Sequence, residues 1–508
     1  MESPAQMEYI NTESTCMWGY LNLLPSLSKG SQSSYLSAAM EEHQQQLGRW
    51  RSCKDRRAAI LLLLLTATAA AASSLGSQEH SDDESDGNKA AVERLRQYLR
   101  FPTVHPDPDL GTAVQFLLAQ AASLALDTMV KEFVPKKPVV LLTWRGDDPS
   151  LPSILLNSHM DVVPVEVEHW KYDPFGAFMD SNGDIHARGA QDMKSVGVMY
   201  LEAIRNLKKE GFRPLRDVHL SFVPDEEVGG ADGFGQFSKS EEFRNLNIAV
   251  GLDEGSATDT ERYRTFTGEK SPWWLSIKAV GNPGHGSKLY DNSPVENLLK
   301  SIEAITNFRT SEFDKIKFGK ATLADVVSVN PVFLKAGTPT PTGFVMNLQP
   351  SEAEAGFDIR LPPFTDRQAI ERRIADEWAP AFRNMTYKFI LKSGGEGNAS
   401  AIAAESSKLW WGLFETAMAK AGVEFSTPEI LYGFTDARYV RDQGIPALGF
   451  SPIANTIPLL HDRNEYVNVK EFLRGIKVYE EIFRIFSSHK SFDHCSEAAN
   501  SQEFVQFV

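Results

Sequence analysis

Cysteine is nearly absent from this chain: there are 3 in 508 residues. Cys16 and Cys53 precede everything that patterns as globular, and Cys495 follows it. A disulfide scaffold and a cysteine nucleophile are therefore both excluded from the body. Cationic charge is also short. The 52 Lys and Arg face 67 Asp and Glu, a net charge of −15, so the basic face a nucleic-acid binder needs is missing. No internal repeat is visible. Metal chemistry would have to draw on His, Asp and Glu. What is present is ordinary: 42% hydrophobic, 10% aromatic and 23% charged, which excludes wholesale disorder, collagen and coiled coil. The length suits two or three domains with a large core.

One long apolar run stands out. Residues 1–50 are rich in Ser, Gln and Glu and carry no sustained apolar period. Arg49, Arg51, Lys54, Arg56 and Arg57 then flank Ile60, the five leucines Leu61 to Leu65 and an Ala-rich tail to Ala72. A basic flank, a short apolar run and small residues make a secretory signal region. This predicts entry to the secretory pathway, with an endoplasmic-reticulum or extracellular destination and cleavage between Ala72 and Ser77. A membrane anchor over 58–75, a buried apolar helix, or a cytoplasmic enzyme with a misassigned start are the alternatives. Ser77 to Asp86 is an acidic, Ser-rich linker. Residues 1–87 thus form an N-terminal extension, and 491–508 a C-terminal tail.

Strand and helix patterns alternate from about Ala90. Residues 92–99 have helical spacing, 139–144, 154–159 and 218–223 read as strands, and 196–207 as an amphipathic helix. The order implies an α/β layer with a mostly parallel sheet. The chemistry gathers where the strands end, which is where open α/β sheets bind ligands. His159-Met160-Asp161 follows one apolar strand, and Asp161 is close enough to fix the imidazole's tautomer. Asp192 stands in a Gly-containing turn that opens the amphipathic helix, as an N-cap or a ligand. Asp225-Glu226-Glu227 follows another strand, and Glu254 ends a further apolar run. His461 ends one more. Each is bland alone. Acidic residues crowded at one strand end repel unless a cation is near, and beside a metal one carboxylate can ligate while its neighbour takes a proton from water.

The segments LLNSHMDVVPV, ARGAQDMKSV, FVPDEEVGG, GLDEG, SPWW, GNPGHGS and PALGFSP followed by LLHDRNE resemble the aminoacylases of the co-catalytic di-zinc aminoacylase/carboxypeptidase family, in order from about Ala90 to Ser488. SPWW and LDEG point to the aminoacylase branch. The resemblance implies a zinc-binding catalytic domain over 88–267 and 381–490, with a mostly parallel central sheet flanked by helices. It also implies an inserted α+β domain over 268–380 that dimerises and closes over the site. One zinc would take His159, Asp192 and Glu254, the other Asp192, Glu227 and His461, two ions per chain. Asp161 would orient His159, and Glu226 would move the proton. A cis peptide after Asp192 belongs to the same pattern. His285 would reach the oxyanion of a partner's site, Asn347 would lie near substrate, and Arg360 and Arg438 are candidates for holding a carboxylate. The activity implied is zinc-dependent hydrolysis of small N-acyl-L-amino acids to a carboxylate and a free amino acid by a homodimer. A dipeptidase, a carboxypeptidase-like enzyme and a hydrolase of amino-acid conjugates are alternatives within the family. A noncatalytic binding protein would lack a ligand or the base, and none is missing.

Overall fold

The computed structural model describes residues 86–393 and 404–490. Two sheets organise them. The larger contains β1 (Asp127–Val134), β2 (Lys137–Trp144), β3 (Ser153–His159), β4 (Val218–Val223), β5 (Ile248–Asp253) and β6 (Thr265–Glu269). The smaller contains β7 (Ser271–Val280), β8 (Ser328–Ala336), β9 (Glu352–Leu361) and β10 (Met385–Lys392). The chain then returns to the larger sheet with β11 (Glu429–Leu431) and β12 (Ala447–Phe450).

The order in the larger sheet is β1-β2-β4-β3-β5-β12-β6-β11. Its centre, β4-β3-β5-β12, is parallel. The flanks are partly antiparallel, so the sheet is mixed. The β1–β2 hairpin has a physical cause: Lys136 takes a positive φ of 64° in a tight reversal, and two strands joined so closely can only run antiparallel. Every residue of β3 and β4 is buried, because helices cover the sheet on both faces, so even Asn157, Ser158, His219 and Ser221 lie inside. Among the covering helices are α1 (Gly111–Ser123), α2 (Lys194–Lys209), α4 (Ala404–Ala421) and α5 (Val469–Ser488). The core joins Leu95, Tyr98 and Leu156 to Met199, Phe222 and Phe483.

The smaller sheet is antiparallel, in the order β8-β9-β7-β10. It packs on α3 (Pro294–Lys317), whose first turn is capped by Ser293. It has its own core of Trp273, Ile277, Phe357, Ile359 and Trp378. Its first strand begins at Ser271 and its last ends at Lys392. A single residue, Lys270, separates β6 from β7 and so joins the two sheets.

The secretory address is corrected here. Among the described residues no helix is long and apolar enough to cross a membrane. The apolar α1 has 13 residues, where a span needs about 20, and its buried side is part of the core. The segment 58–75 and the tail 491–508 lie outside the described residues.

α2 matters most for the site, since it begins two residues after Asp192. It lies on β3 and β4 at Gly197, where an added Cβ would stand 2.7 Å from Ser158 Oγ and 2.9 Å from the Phe222 ring. Both contacts are closer than real Cβ atoms tolerate, so Gly197→Ala forces the helix off the sheet and costs about 1–3 kcal/mol. Urea unfolding measures it, and a wild-type midpoint at unchanged m-value would contradict this packing.

Candidate metal centre

Because β4, β3 and β5 are parallel neighbours, their carboxyl ends open at one edge. His159 is the last residue of β3. Glu226 and Glu227 begin a 3-10 turn after β4, and Glu254 follows Asp253 at the end of β5. Asp192 arrives from the turn before α2, and His461 from the loop after Pro458. These residues form two clusters sharing Asp192: His159, Asp192 and Glu254, and Asp192, Glu227 and His461. Within each cluster the candidate ligand atoms lie within 4.8 Å of one another. The Asp192–Met193 peptide is cis.

Hydrogen bonding fixes the imidazole roles. His159 Nδ1 lies 2.8 Å from the Asp161 main-chain oxygen. A carbonyl oxygen can only accept, so Nδ1 carries a hydrogen, and in the neutral ring Nε2 presents a lone pair. That lone pair faces Asp192 Oδ1 at 3.0 Å and Glu254 Oε2 at 3.7 Å. His461 Nε2 faces Asp192 Oδ2 at 3.2 Å and Glu227 Oε2 at 2.8 Å. Asp192 thus turns one oxygen to each imidazole. A neutral ring's lone pair against carboxylate oxygens is repulsive unless positive charge, a proton or a metal ion, lies between them.

The local field asks for that charge. Burial would push the His159 imidazole down, yet its bonds to Asp192 and Glu254 hold it well above its ordinary value. Partial desolvation opposes protonation of His461, but Asp192 and Glu227 lift it to about 11. Burial and the Asp192 charge raise both Glu227 and Glu254. Burial would raise Asp192 too, but the two imidazoles draw it well below the usual carboxylate range. Glu227 Oε1 is buried without a hydrogen-bond partner, as expected of an atom that would face a cation. Two imidazoles and three carboxylates are a donor set that suits zinc. The three carboxylates would balance all but one of the four charges on a pair of dications.

Asp161 works differently from the expected pattern. Its main-chain oxygen orients His159, while its carboxylate lies 3.6 Å from Nδ1. That carboxylate instead accepts the backbone N–H groups of Glu226 at 3.2 Å and Glu227 at 3.1 Å and meets His105 Nε2 at 2.7 Å. It therefore sets the Glu226–Glu227 turn against β3. Glu226 belongs to neither cluster. Its Oε1 is buried and unpartnered, and burial together with the Glu254 charge raises its carboxyl well above the ordinary value.

A cavity of about 760 Å³ opens beside the clusters. Asp192, Glu226, Glu254 and His461 line one wall, and Trp274, Phe333, Ile390 and Arg360 from the smaller sheet line another. Arg360 forms a fork on Asp358 at 2.7 and 2.8 Å and lies 4.5 Å from the centre of the Phe434 ring. Arg438 is buried, and its guanidinium is spent on the main chain: Thr435 oxygen at 2.8 Å and Gly229 oxygen at 2.6 Å. It does not line the cavity, and Tyr439 OH donates to the same Gly229 oxygen at 2.8 Å. Arg438 thus braces the turn that follows Glu226 and Glu227. His285 and Asn347 come together on an exposed two-stranded ladder, Gly284–His285 against Leu348–Gln349, where Gly286 N–H donates to Asn347 oxygen at 2.8 Å. Neither lines the cavity of its own chain.

Sequence reasoning passed over His105, which sits in a loop without any local motif. It also gave no role to Gln191 and Glu465, although both stand inside quoted segments.

The pattern that defines peptidase family M20/M25/M40 matches residues 155–484, a span that contains every residue of both clusters. Aminoacylase-1 of Sus scrofa is 41% identical over 403 residues, 79% of this chain and 97% of its own length. The solved M20 metallo-carboxypeptidase Sso-CP2 of Sulfolobus solfataricus is similar in fold, with a TM-score of 0.62 and 16% identity over 78% of this chain and 99% of its own. The YXEP protein of Bacillus subtilis, described as a dinuclear metal binding peptidase, gives a TM-score of 0.54 at 15% identity over 78% of this chain and 99% of its own. Shared edge, shared carboxylate and shared sequence lead to one statement: the chain belongs to peptidase family M20/M25/M40, in its aminoacylase branch.

Proposed function

We propose that this metal-dependent hydrolase cleaves N-acyl-L-amino acids with two zinc ions, uses Glu226 as its proton carrier, and completes its site across a homodimer. The observation that carries this is the pair of His–carboxylate clusters sharing Asp192, with the uncommitted carboxyl of Glu226 beside them. His159, Asp192 and Glu254 would hold one ion and Asp192, Glu227 and His461 the other. When bound, such a pair polarises a scissile carbonyl and acidifies water.

The chain's own residues do the rest. Glu226 accepts a proton from the attacking water at its free Oε1 and returns it to the departing amine nitrogen. Its buried setting keeps the protonated form within reach, which the second half of that cycle needs. Asp161 and Arg438 keep the Glu226 turn still from opposite sides. Arg360, on the cavity wall, is the residue to take the amino acid's carboxylate through its fork. Asp358 occupies that fork in the absence of ligand. The apolar wall of Trp274, Phe333 and Ile390 suits an uncharged acyl or side-chain group.

His285 and Asn347 stand outside this cavity, on an exposed ladder whose surroundings include the exposed Leu289, Phe344 and Met346. A second copy that covers these apolar residues would carry His285 to the neighbouring site as an oxyanion donor.

Chelation should abolish activity, and metal analysis of active enzyme should give two ions per chain. Asp192→Ala should lose both, whereas Glu254→Ala should retain part of its metal; one ion or none in active enzyme refutes the paired site. Glu226→Gln should keep its metal and slow turnover by roughly 10²–10⁴-fold. A near-normal kcat would remove Glu226 from proton transfer. His285→Ala should also be nearly inactive. Refolded together at equal concentration, the Glu226→Gln and His285→Ala chains should recover roughly a quarter of wild-type activity, since half the dimers are mixed and each has one complete site. Mixed dimers without activity would end the claim that His285 works across the interface.

A further inference from the structure

The two cation positions are not held with equal firmness. His159 is the last ladder residue of β3 and is fully buried, so the sheet itself fixes it. His461 has no such support. It sits in a loop with a positive φ of 63°, and its side chain keeps 56% exposure. Its ring meets only Asp192 and Glu227 among the ion pairs of the described residues. Something else must set the loop.

Two side chains do so, and they work reciprocally. Glu465, four residues beyond His461, is fully buried. Its Oε1 accepts the main-chain N–H of Gln191 at 2.6 Å and of Asp192 at 3.2 Å. Its Oε2 accepts Gly189 N–H at 3.0 Å and Arg188 Nη1 at 2.7 Å. Four donors fill the lone-pair sites of one carboxylate, and three of them belong to the backbone that delivers Asp192. Gln191 returns the contact. Its Nε2 donates to the main-chain oxygens of Ile457 at 3.1 Å and Tyr466 at 2.9 Å. Its Oε1 accepts Leu459 N–H at 2.9 Å. Ile457, Leu459 and Tyr466 bracket His461 on both sides.

We infer that Gln191 and Glu465 are positioning residues that cross-link the Asp192 turn to the His461 loop, and that this cross-link sets the affinity of the outer cation position, Asp192–Glu227–His461. The inference rests on the two-metal reading above. The two residues differ in what they hold. Gln191 holds the His461 loop, so its loss acts on the outer ion. Glu465 holds the backbone of Asp192, which serves both ions, so its loss acts on both. Neither touches substrate or a cation.

Titration of the metal-stripped full chain with cobalt(II), followed by visible absorption and by bound-metal analysis, separates these effects without an activity assay. The wild type should take two equivalents. In Gln191→Ala the dissociation constant of the weaker equivalent should rise roughly 10- to 100-fold, with the tighter one nearly unchanged, as for loss of a group that orients a ligand. In Glu465→Gln both should weaken. If Gln191→Ala does not fold, Gln191→Glu, which keeps the acceptor for Leu459 N–H and loses both donors, is read the same way. Glu480→Gln is the control for general destabilisation: this buried carboxylate bonds Asn206 at 2.6 Å away from both clusters, so unfolding should ease while both constants stay. Wild-type uptake of two equivalents with the same constants in Gln191→Ala overturns this inference alone, as does a Glu480→Gln chain that weakens alike. Wild-type uptake of fewer than two overturns the metal reading and this inference with it.

Discussion

Repulsion among carboxylates at one sheet edge is the constraint from which the site follows. Asp192, Glu227 and Glu254 are brought within reach of the Nε2 atoms of two imidazoles. Such a group is unfavourable in a buried setting unless cations stand between its members. The parallel centre of the sheet produces the crowding, because β4, β3 and β5 all end on the same side. A cation pair would turn that crowding from a liability into a binding site.

The surroundings then read as restraints on the carboxylates. Asp161 fastens the Glu226–Glu227 turn to the end of β3, and Arg438 with Tyr439 fastens the far end of that turn through the Gly229 oxygen. Glu465 fastens the backbone of Asp192. Each restraint joins segments far apart in sequence, and each uses an ionised or strongly polar group that is buried and satisfied. Fixed donors and acceptors of this kind need no reorganisation when charge moves during a reaction.

The strands that carry the site were legible because apolar-rich segments such as 154–156 and 218–223 lead within a few residues into His or Asp-Glu-Glu. That change of chemistry is local, so the sequence displays it. The pairing of ligands came from resemblance, since spacing alone cannot say that residues 159, 192, 227, 254 and 461 converge. The antiparallel β1–β2 flank turns on Pro135 and Lys136, a proline-bearing reversal that the strand reading, which began at 139, did not use. Arg438 resembled a carboxylate ligand by residue type, and only its bonds to Thr435 and Gly229 reveal an inward task. The role of the Asp161 side chain depends on His105, 56 residues earlier, which no local pattern announces. The apolar run at 58–75 resembles a signal by composition, but the secretory address read from it is not upheld: among the described residues no helix is long and apolar enough to cross a membrane.

The position of His461 has a consequence for biosynthesis. About 300 residues separate it from His159, and ribosomes add roughly 5–20 residues per second. For some tens of seconds a nascent chain therefore presents His159, Asp192 and the acidic strand ends without the loop that completes the outer position. During that interval the inner trio is complete in sequence, while the backbone of Asp192 still lacks the carboxylate of Glu465 that accepts its N–H. The trio Asp192–Glu227–His461 is therefore the last part of the site whose residues the ribosome delivers, and the trio His159–Asp192–Glu254 the first.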